Sequence, residues 1–293
     1  MRRATGFRIV FLAPAVLLYF TFVVWPFLQT IGSSAYRWRG LSGNKTFVGA
    51  NNFVQLWNDS NYWQSMRNCL FALLIGGFLL ISIGLLIAHA LQGQGRLARL
   101  ARALYLLPNV VSLVAVAIIW QFMLNPSFGL LIGLFKALTI PVPKNGFLAT
   151  NGTALPSVLA AFVWYALGFY VMLFAAGLKN LDAETMEAAD LDGSSGWNKF
   201  IKITWPMFWS IKKIALSYVV INVFSIFALV QVMTNGGQPD RHTEMPLTYL
   251  YEKGWENTQF SYGITIGVVN LVFAMAASLL VMFWYRKNPE VSK

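Results

Sequence analysis

Long apolar runs constrain the fold of this chain more than any other feature. Six segments each hold about twenty mostly apolar residues, the length that an α-helix needs to cross a bilayer core of about 30 Å. They are Ile9–Phe27, Cys69–Leu91, Ala103–Leu124, Leu155–Leu178, Ile214–Met233 and Ile264–Trp284. Only 11% of the 293 residues are charged, too few to coat a soluble domain. The sequence therefore predicts an all-α integral membrane protein with six transmembrane helices, forming one domain over residues 1–293.

Two apolar runs need a separate interpretation. The run from Ile9 continues past Pro26 without a small-residue cleavage site, so we expect a retained first span and not a removed signal peptide. The run Phe128–Ile140 is too short to span and is interrupted by Lys136, so we predict an interfacial helix there.

The basic residues predict the orientation of the spans. An even number of spans places both termini on one side, and cytoplasmic loops are enriched in Lys and Arg. With both termini in the cytoplasm, that side holds fourteen of the twenty-two basic residues. Cytoplasmic termini are therefore predicted. The same bias accounts for the net charge of +11 without nucleic acid as a partner.

Acidic residues are absent from all six predicted spans. A carrier driven by protons or cations usually keeps a carboxylate at membrane depth, so an ion-coupled secondary carrier is disfavoured. Backbone carbonyls can also bind sodium, so this alternative stays open. His89, near the cytoplasmic end of the second span, is interpreted as a packing residue. The sequence has no metal-binding Cys/His cluster and no nucleophile with an evident base, and it does not predict an enzyme.

The connection between the fourth and fifth spans, Leu181–Pro206, is the longest on the cytoplasmic side. Asp182 is placed to cap a helix, and Gly193 suits the left-handed residue that ends one. These signals predict a helix of about ten residues, roughly 15 Å long. Ser194 or Ser195 is expected to cap a second short helix, which ends where the closing proline opens the approach to the fifth span.

The first of these two helices has a small and acidic surface. Ala188 and Ala189 give it a low profile that fits a groove, and Glu184 suits its first turn. Glu187 and Asp190 supply carboxylates for basic residues of a partner. The pattern predicts a docking helix.

The same connection carries a motif at fixed spacing. Glu187-Ala188-Ala189 is followed by Gly193 four residues later, by Ile203 ten residues further on, and then by Pro206. These residues resemble the EAA loop of binding-protein-dependent ABC importers. The extended form found in the sugar-importer branch is matched as well, at Asp192, Trp197, Phe200 and Thr204.

Further stretches are similar to permeases of the maltose and glycerol-3-phosphate type, over nearly the whole chain. They are Phe47–Phe53, Leu104–Val111, Ile119–Gly129 and Met233–Gly237. Three positions depart from that pattern. Trp205 replaces the usual Leu before the proline, Cys69 stands where Thr is common, and Gln238 separates Gly237 from Pro239.

The resemblance implies a permease subunit in a bacterial or archaeal plasma membrane that imports a sugar or oligosaccharide. The coupling residues that it implies are Glu184, Glu187, Ala188, Ala189, Asp190, Asp192, Gly193, Ile203 and Pro206. The implied partners are a second, different permease, two ATP-binding subunits and an extracytoplasmic solute-binding protein, which the outer loops Asn51–Trp63 and Gly236–Trp255 would receive. No cofactor is expected in this chain, because ATP and Mg belong to the partner ATPase. Glycerol-3-phosphate or another small solute remains an alternative cargo.

The fifth predicted span is rich in uncharged polar groups. Tyr218, Asn222 and Ser225, with Leu229 after them, follow helical spacing, so they are expected to share one stripe. Such a stripe can line a path for a neutral polyol, with aromatic rings that stack on sugars at Trp164, Tyr165 and Tyr170. The alternative is that the polar groups join helices and that the aromatic rings lie at the membrane interfaces.

Overall fold

The computed structural model describes residues 2–40, 43–91, 95–181, 183–194 and 196–286. Most of these residues are helical, and one short antiparallel pair joins β1 (Tyr36–Arg37) to β2 (Thr46–Phe47). The α-helices are α1 (Arg2–Tyr19), α2 (Trp25–Ser33), α3 (Asn51–Trp57), α4 (Ser60–Phe71), α5 (Gly77–Ala90), α6 (Arg96–Val110), α7 (Leu113–Met123), α8 (Leu130–Ala137), α9 (Asn151–Lys179), α10 (Ala183–Leu191), α11 (Gly196–Lys199), α12 (Trp205–Met207), α13 (Trp209–Phe224), α14 (Ala228–Met233), α15 (Pro246–Tyr251) and α16 (Phe260–Trp284). Four π-helical turns join neighbouring segments, at Phe20–Val24, Ala72–Gly76, Phe200–Thr204 and Glu252–Glu256.

Four helical stretches are long and apolar enough to cross a membrane. They are Phe11–Ser33, Ser60–Ala90, Asn151–Lys179 and Phe260–Trp284, and they overlap the first, second, fourth and sixth predicted spans. The predicted interfacial segment contains α8. Mean hydropathy finds these helices because each contains an apolar window of 18 residues.

The third predicted span is not a single straight helix. Ala103–Val110 and Leu113–Met123 meet at 104°, because Val111 and Ser112 have extended backbone conformations. Pro108 contributes to this end of α6, since a proline has no N–H to donate to the preceding turn. The expectation of one continuous helix over Ala103–Leu124 was wrong.

The fifth predicted span is also not one continuous helix, and the segment that precedes it is bent. Phe200–Met207 and Trp209–Phe224 meet at 69° at Phe208, and α13 then ends at Phe224, before Ser225–Phe227. The expected helix over Ile214–Met233 is therefore divided into α13 and α14. Leu229 belongs to α14 and does not continue the stripe of α13.

Two of the π-helical turns lie directly before a Trp-Pro pair. In both, the tryptophan N–H donates to the carbonyl five residues back, from Trp25 to Phe20 and from Trp205 to Phe200. A proline ring clashes with the carbonyl four residues before it, and the wider π turn relieves that clash. Pro26 and Pro206 are thereby accommodated within helical segments.

The described chain divides into two compact units. The first contains the residues up to Ser60 together with Tyr249–Val269. Within it, a carboxylate oxygen of Asp59 accepts hydrogen bonds from the hydroxyls of Tyr249 and Tyr262, at 2.5 and 2.7 Å. The amide of Asn52 donates to the carbonyls of Ser34 and Tyr36 and so fixes the start of the β hairpin.

The second unit contains Asn61–Thr248 and the residues from Asn270 onward, with α9 at its centre. In the most apolar window of the Asn151–Lys179 helix, 56% of the residues are buried, and α5, α6, α7, α13 and α14 pack against it. Gly168 allows α6 to approach closely, because a Cβ there would collide with the carbonyl of Tyr105. The Asn109 amide donates to the Tyr165 carbonyl at 3.2 Å and joins the same two helices.

Candidate functional site

The predicted docking helix is present as α10, which begins at Ala183. Its end has the expected geometry: Gly193 has a φ of 71°, and the Ser194 N–H donates to the Ala189 carbonyl at 2.9 Å. A bond of this type across a left-handed glycine closes a helix in the Schellman manner. The proposed caps Asp182 and Ser195 lie outside the described residues, and so do the side chains of Asp190 and Trp197.

One face of α10 is exposed along its whole length. Glu184, Glu187, Ala188 and Leu191 are all exposed and follow the spacing of a single helical face, whereas Ala189 is 5% exposed and lies on the opposite side. Asp192 and Gly193 extend this surface past the end of the helix. The face therefore offers two carboxylates, a small side chain and one large apolar side chain.

Leu191 was missed in the sequence analysis. Its side chain is 89% exposed, among the most exposed large apolar groups in the described chain. The signal was available, since Leu191 lies seven residues after Glu184 and four after Glu187, which is the spacing of one helical face. Leu191 therefore adds one apolar side chain to a surface whose other large exposed groups are carboxylates.

The second predicted helix begins at Gly196 and continues through the π turn to Met207. Ile203 and Pro206 are half-buried in it. The Lys212 ammonium group connects the two sides of the bend at Phe208, which follows this helix. It donates to the Trp205 carbonyl at 2.6 Å and lies 4.3 Å from the centre of the Trp205 ring. The departure from the usual Leu at position 205 thus creates a cation–π contact at the bend.

The break after α13 is stabilised by the last helix. The buried Asn270 of α16 donates to the Phe224 carbonyl at 3.2 Å, so one of the carbonyls that lose a helical partner is satisfied. Asn270 was not singled out in the sequence analysis, because nothing local relates it to a residue forty-six positions earlier.

Three polar residues of the predicted stripe remain near one another at this break. Tyr218 is 45% exposed and Asn222 is half-buried on α13, and Ser225 is exposed directly after its end. The ring of Tyr218 stacks on that of Phe169 with centroids 4.6 Å apart. Irregular backbone at membrane depth occurs where protein buries it or where it lines a water-filled cavity.

The three aromatic residues predicted on α9 have different surroundings. Trp164 is 43% exposed and packs edge-on to Trp120, and Tyr165 is half-buried. Tyr170 is completely buried, and its hydroxyl lies close to the Asn222 amide and to Tyr218. Within this chain, the rings of Trp164 and Tyr165 are partly exposed, whereas Tyr170 is buried next to Asn222 and Tyr218.

The loop after α14 is held by buried polar contacts. Glu244 is 2% exposed and pairs with Arg241 at 2.6 Å, and the Asn68 amide donates to the carbonyls of both residues. The Asn151 amide donates to a carboxylate oxygen of Asp240 at 3.0 Å. Much of the predicted docking loop Gly236–Trp255 is therefore fixed in place.

Among the described residues, no group of three His, Cys, Asp or Glu side chains is arranged to hold a metal ion.

Comparison with known proteins shows to which class of protein the chain belongs. Residues 80–288 match the family of binding-protein-dependent transport system inner membrane components. The chain is 32% identical to a probable ABC transporter permease protein of Pyrococcus horikoshii, over 99% of this chain and all of that one. It is 31% identical to the diacetylchitobiose uptake system permease protein NgcF of Streptomyces coelicolor, over 94% of this chain and 82% of the relative.

A solved structure shares the fold. It is the bacterial alginate ABC transporter in complex with an alginate pentasaccharide-bound periplasmic protein, and one of its chains matches with a TM-score of 0.79 and 19% identity. The match covers 97% of this chain and 95% of that one.

The chain is a multi-pass membrane permease and not an enzyme. It belongs to the family of binding-protein-dependent transport system inner membrane components. The resemblance drawn from Glu187-Ala188-Ala189 and its neighbours is confirmed at the level of that family.

Proposed function

We propose that this chain is one of two permease subunits of an ATP-driven importer of a sugar or oligosaccharide, and that α10 couples it to a separate ATPase. The observation that carries the proposal is the exposed face of α10, which combines Glu184, Glu187, Ala188 and Leu191 and ends at a left-handed Gly193. Carboxylates next to an apolar anchor suit a cleft whose rim is basic and whose floor is apolar.

The energy for transport comes from the partner. Two ATP-binding subunits bind ATP and Mg, and closure of their dimer displaces α10 and the helices that follow it. Negative charge is contributed by Glu187, Asp190 and Asp192. The helix and its end have a narrow profile because small side chains or none are present at Ala188, Ala189 and Gly193. Ile203 and Pro206 set the path from the docking helix to the bend at Phe208.

The proposed membrane arrangement has six spans with both termini in the cytoplasm. Four unbroken helices and two bent pairs, each counted as one span, support that number. The coupling segment, Leu181–Pro206, then lies in the cytoplasm, on the side that holds most of the basic residues.

We propose that the solute passes along the break at Ser225. Tyr218, Asn222 and Ser225 offer hydrogen bonds without a fixed charge, and the interrupted backbone adds carbonyl and N–H groups. The rings of Trp164 and Tyr165 suit the apolar faces of sugars. A sugar is the favoured cargo because the relative from Streptomyces coelicolor is a diacetylchitobiose permease and the transporter of shared fold is an alginate importer.

Six spans supply half of a pore, so a second permease is proposed to complete it as a heterodimer. The first membrane helix supports this view, because none of its apolar window is buried within the chain. An extracytoplasmic solute-binding protein is proposed to dock on the outer loops, among them Asn51–Trp63 and Gly236–Trp255. The ordered contacts of Glu244 and Asn68 favour a preformed docking surface there.

The coupling proposal is tested by a charge reversal on α10. The chain is co-expressed with the transporter subunits encoded beside it, and we expect Glu187→Lys to abolish both co-purification of the ATPase and solute uptake. Glu256→Lys is the matched control for co-purification of the ATPase, since Glu256 is also exposed but is predicted to lie on the outer side. Normal uptake by Glu187→Lys, or an equal loss of ATPase co-purification in the control, would refute the role of α10.

The path proposal is tested at Asn222. We expect Asn222→Ala to reduce solute-stimulated ATP hydrolysis of the reconstituted complex about tenfold or more, because a lost polar contact to a bound solute leaves its partner unpaired. Assembly should be unchanged. Ile221→Ala, an exposed apolar position on the same helix, is the control and should keep normal stimulation. Equal stimulation in both variants would count against the path.

A further inference from the structure

A large cavity opens beside the coupling segment, within the second unit. Its volume is about 950 Å³. Three elements enclose it: the last turns of α5, the last turn of α9, and the coupling segment itself. The residues that line it are Ile81, Ser82, Leu85, Leu86, Ala88, His89, Leu91, Ala175, Leu178, Lys179, Leu181, Met186, Gly196, Lys199, Phe200, Thr204 and Trp205.

The walls of the cavity are mostly hydrocarbon. Leu85, Leu178 and Met186 are typical of them, and Leu86 at the edge is 67% exposed. Two of the three enclosing elements are helices that are long and apolar enough to cross a membrane. A cavity with such walls, beside the ends of two span-length helices, favours an acyl chain over a polar solute or a nucleotide.

One end of the cavity is basic. Lys179 is the last residue of α9, His89 is the penultimate residue of α5, and both are exposed. Lys199 of α11 also lines the cavity, and the described lining includes no Asp or Glu. Basic pockets between membrane helices on the cytoplasmic side bind the head groups of anionic lipids.

We propose that this cavity binds one anionic phospholipid from the leaflet on the side of the coupling segment. The acyl chains lie against Leu85, Leu178 and Met186, and the phosphate lies near Lys179 and His89. Met186, Gly196 and Trp205 line the same cavity, so the bound lipid contacts both the coupling segment and the two membrane helices beside it. Its binding favours the arrangement of the segment that encloses the cavity, because a ligand stabilises the conformation that binds it.

Lipid retention tests the site directly. The transporter complex is purified and placed in nanodiscs that contain phosphatidylcholine with phosphatidylglycerol, and retained lipid is measured by native mass spectrometry. We expect wild-type protein to retain phosphatidylglycerol preferentially. Lys179→Gln should reduce this preference about fivefold, the usual effect of one basic group next to an anionic head group. Because Lys179 is exposed, the variant is expected to fold and assemble normally.

Two further variants distinguish lipid binding at this site from a general effect of surface charge on lipid retention. Lys136→Gln removes an exposed lysine of α8, far along the chain from the cavity, and should retain lipid as wild type does. Ala175→Leu extends a lining side chain into the cavity and should lower lipid retention without lowering the melting temperature. The proposal fails if phosphatidylglycerol is not preferred, if the preference survives Lys179→Gln, or if Lys136→Gln lowers it equally. Retention is measured without transport, so this result is independent of the sugar and of the coupling mechanism.

Discussion

At the scale of single residues, we propose that Leu191 contributes most to the affinity of the docking helix for the ATPase. Its side chain is 89% exposed on the same face as Glu184 and Glu187, and burying a leucine contributes about 1.5–3 kcal/mol. We expect Leu191→Ser to weaken binding of the ATPase by about ten- to a hundredfold. Titration of purified permease with the ATPase subunit measures this effect.

Glu184→Gln is the companion variant to Leu191→Ser. Glu184 lies on the same exposed face, but the loss of one exposed charge should weaken binding far less than the loss of the apolar anchor. If Leu191→Ser binds as tightly as wild type, the apolar side chain lies outside the interface, and α10 docks through its charges alone.

At the scale of elements, the bend at Phe208 depends on Lys212. Its ammonium group donates to the Trp205 carbonyl and lies over the Trp205 ring. Lys212→Met removes both contacts, with an expected cost of about 2 kcal/mol. Trp205→Leu keeps the hydrogen bond to the backbone but loses the ring contacts with Lys212 and Phe200, and the cation–π contact alone is worth about 0.5–1 kcal/mol.

These two variants should therefore separate stability from coupling. We expect Lys212→Met to lower the melting temperature of the complex and the amount of solute imported per ATP hydrolysed. Trp205→Leu should leave that ratio unchanged, since the carbonyl of residue 205 stays paired. Matching behaviour of the two variants would show that the ring, and not the hydrogen bond, fixes the bend.

The elements also show what local sequence can predict. The end of α10 was predictable because Gly193 is a local signal for a left-handed helix end, and α9 was predictable because it is apolar throughout. The breaks were not. At the end of α13, the Phe224 carbonyl accepts a hydrogen bond from Asn270 of another helix. A hydropathy profile contains no information about a partner so distant in sequence. For the same reason, the polar stripe was predicted to lie on one unbroken helix. Tyr218, Asn222 and Ser225 nevertheless lie close together in sequence at the break.

At the scale of the whole molecule, burial differs sharply between the membrane helices. The apolar window of Phe11–Ser33 has no buried residue, whereas 56% of that of Asn151–Lys179 is buried. The exposed surface of the first helix is apolar on every side, including Phe22 at 73% exposure. Such a surface is stable only in lipid or against another membrane protein, so the chain is suited to assembly within the membrane.

The single cysteine makes the membrane arrangement directly measurable. Cys69 has no exposed surface in the described structure, so the native chain should react little with a membrane-impermeant maleimide. Cysteines introduced one at a time at exposed loop positions then report the side of the membrane on which each loop lies. Native chain without an added cysteine is the background control.

Six spans with cytoplasmic termini predict an alternating pattern of labelling in whole cells. Cysteine at Asn44, Asn145 or Asn257 should react at once, because these exposed positions fall in the three predicted outer loops. Cysteine at Gly95 or Asn198 should react only after the membrane is permeabilised, because Gly95 precedes the third span and Asn198 lies within the coupling segment. Immediate labelling at Gly95 and Asn198 with protection at the other three would reverse the orientation and place α10 away from cytoplasmic ATP. If the bent pair Ala103–Val110 and Leu113–Met123 instead enters and leaves the membrane on the same side, the labelling of Asn145 and Asn198 should change together, because the Asn151–Lys179 helix would then cross in the opposite direction.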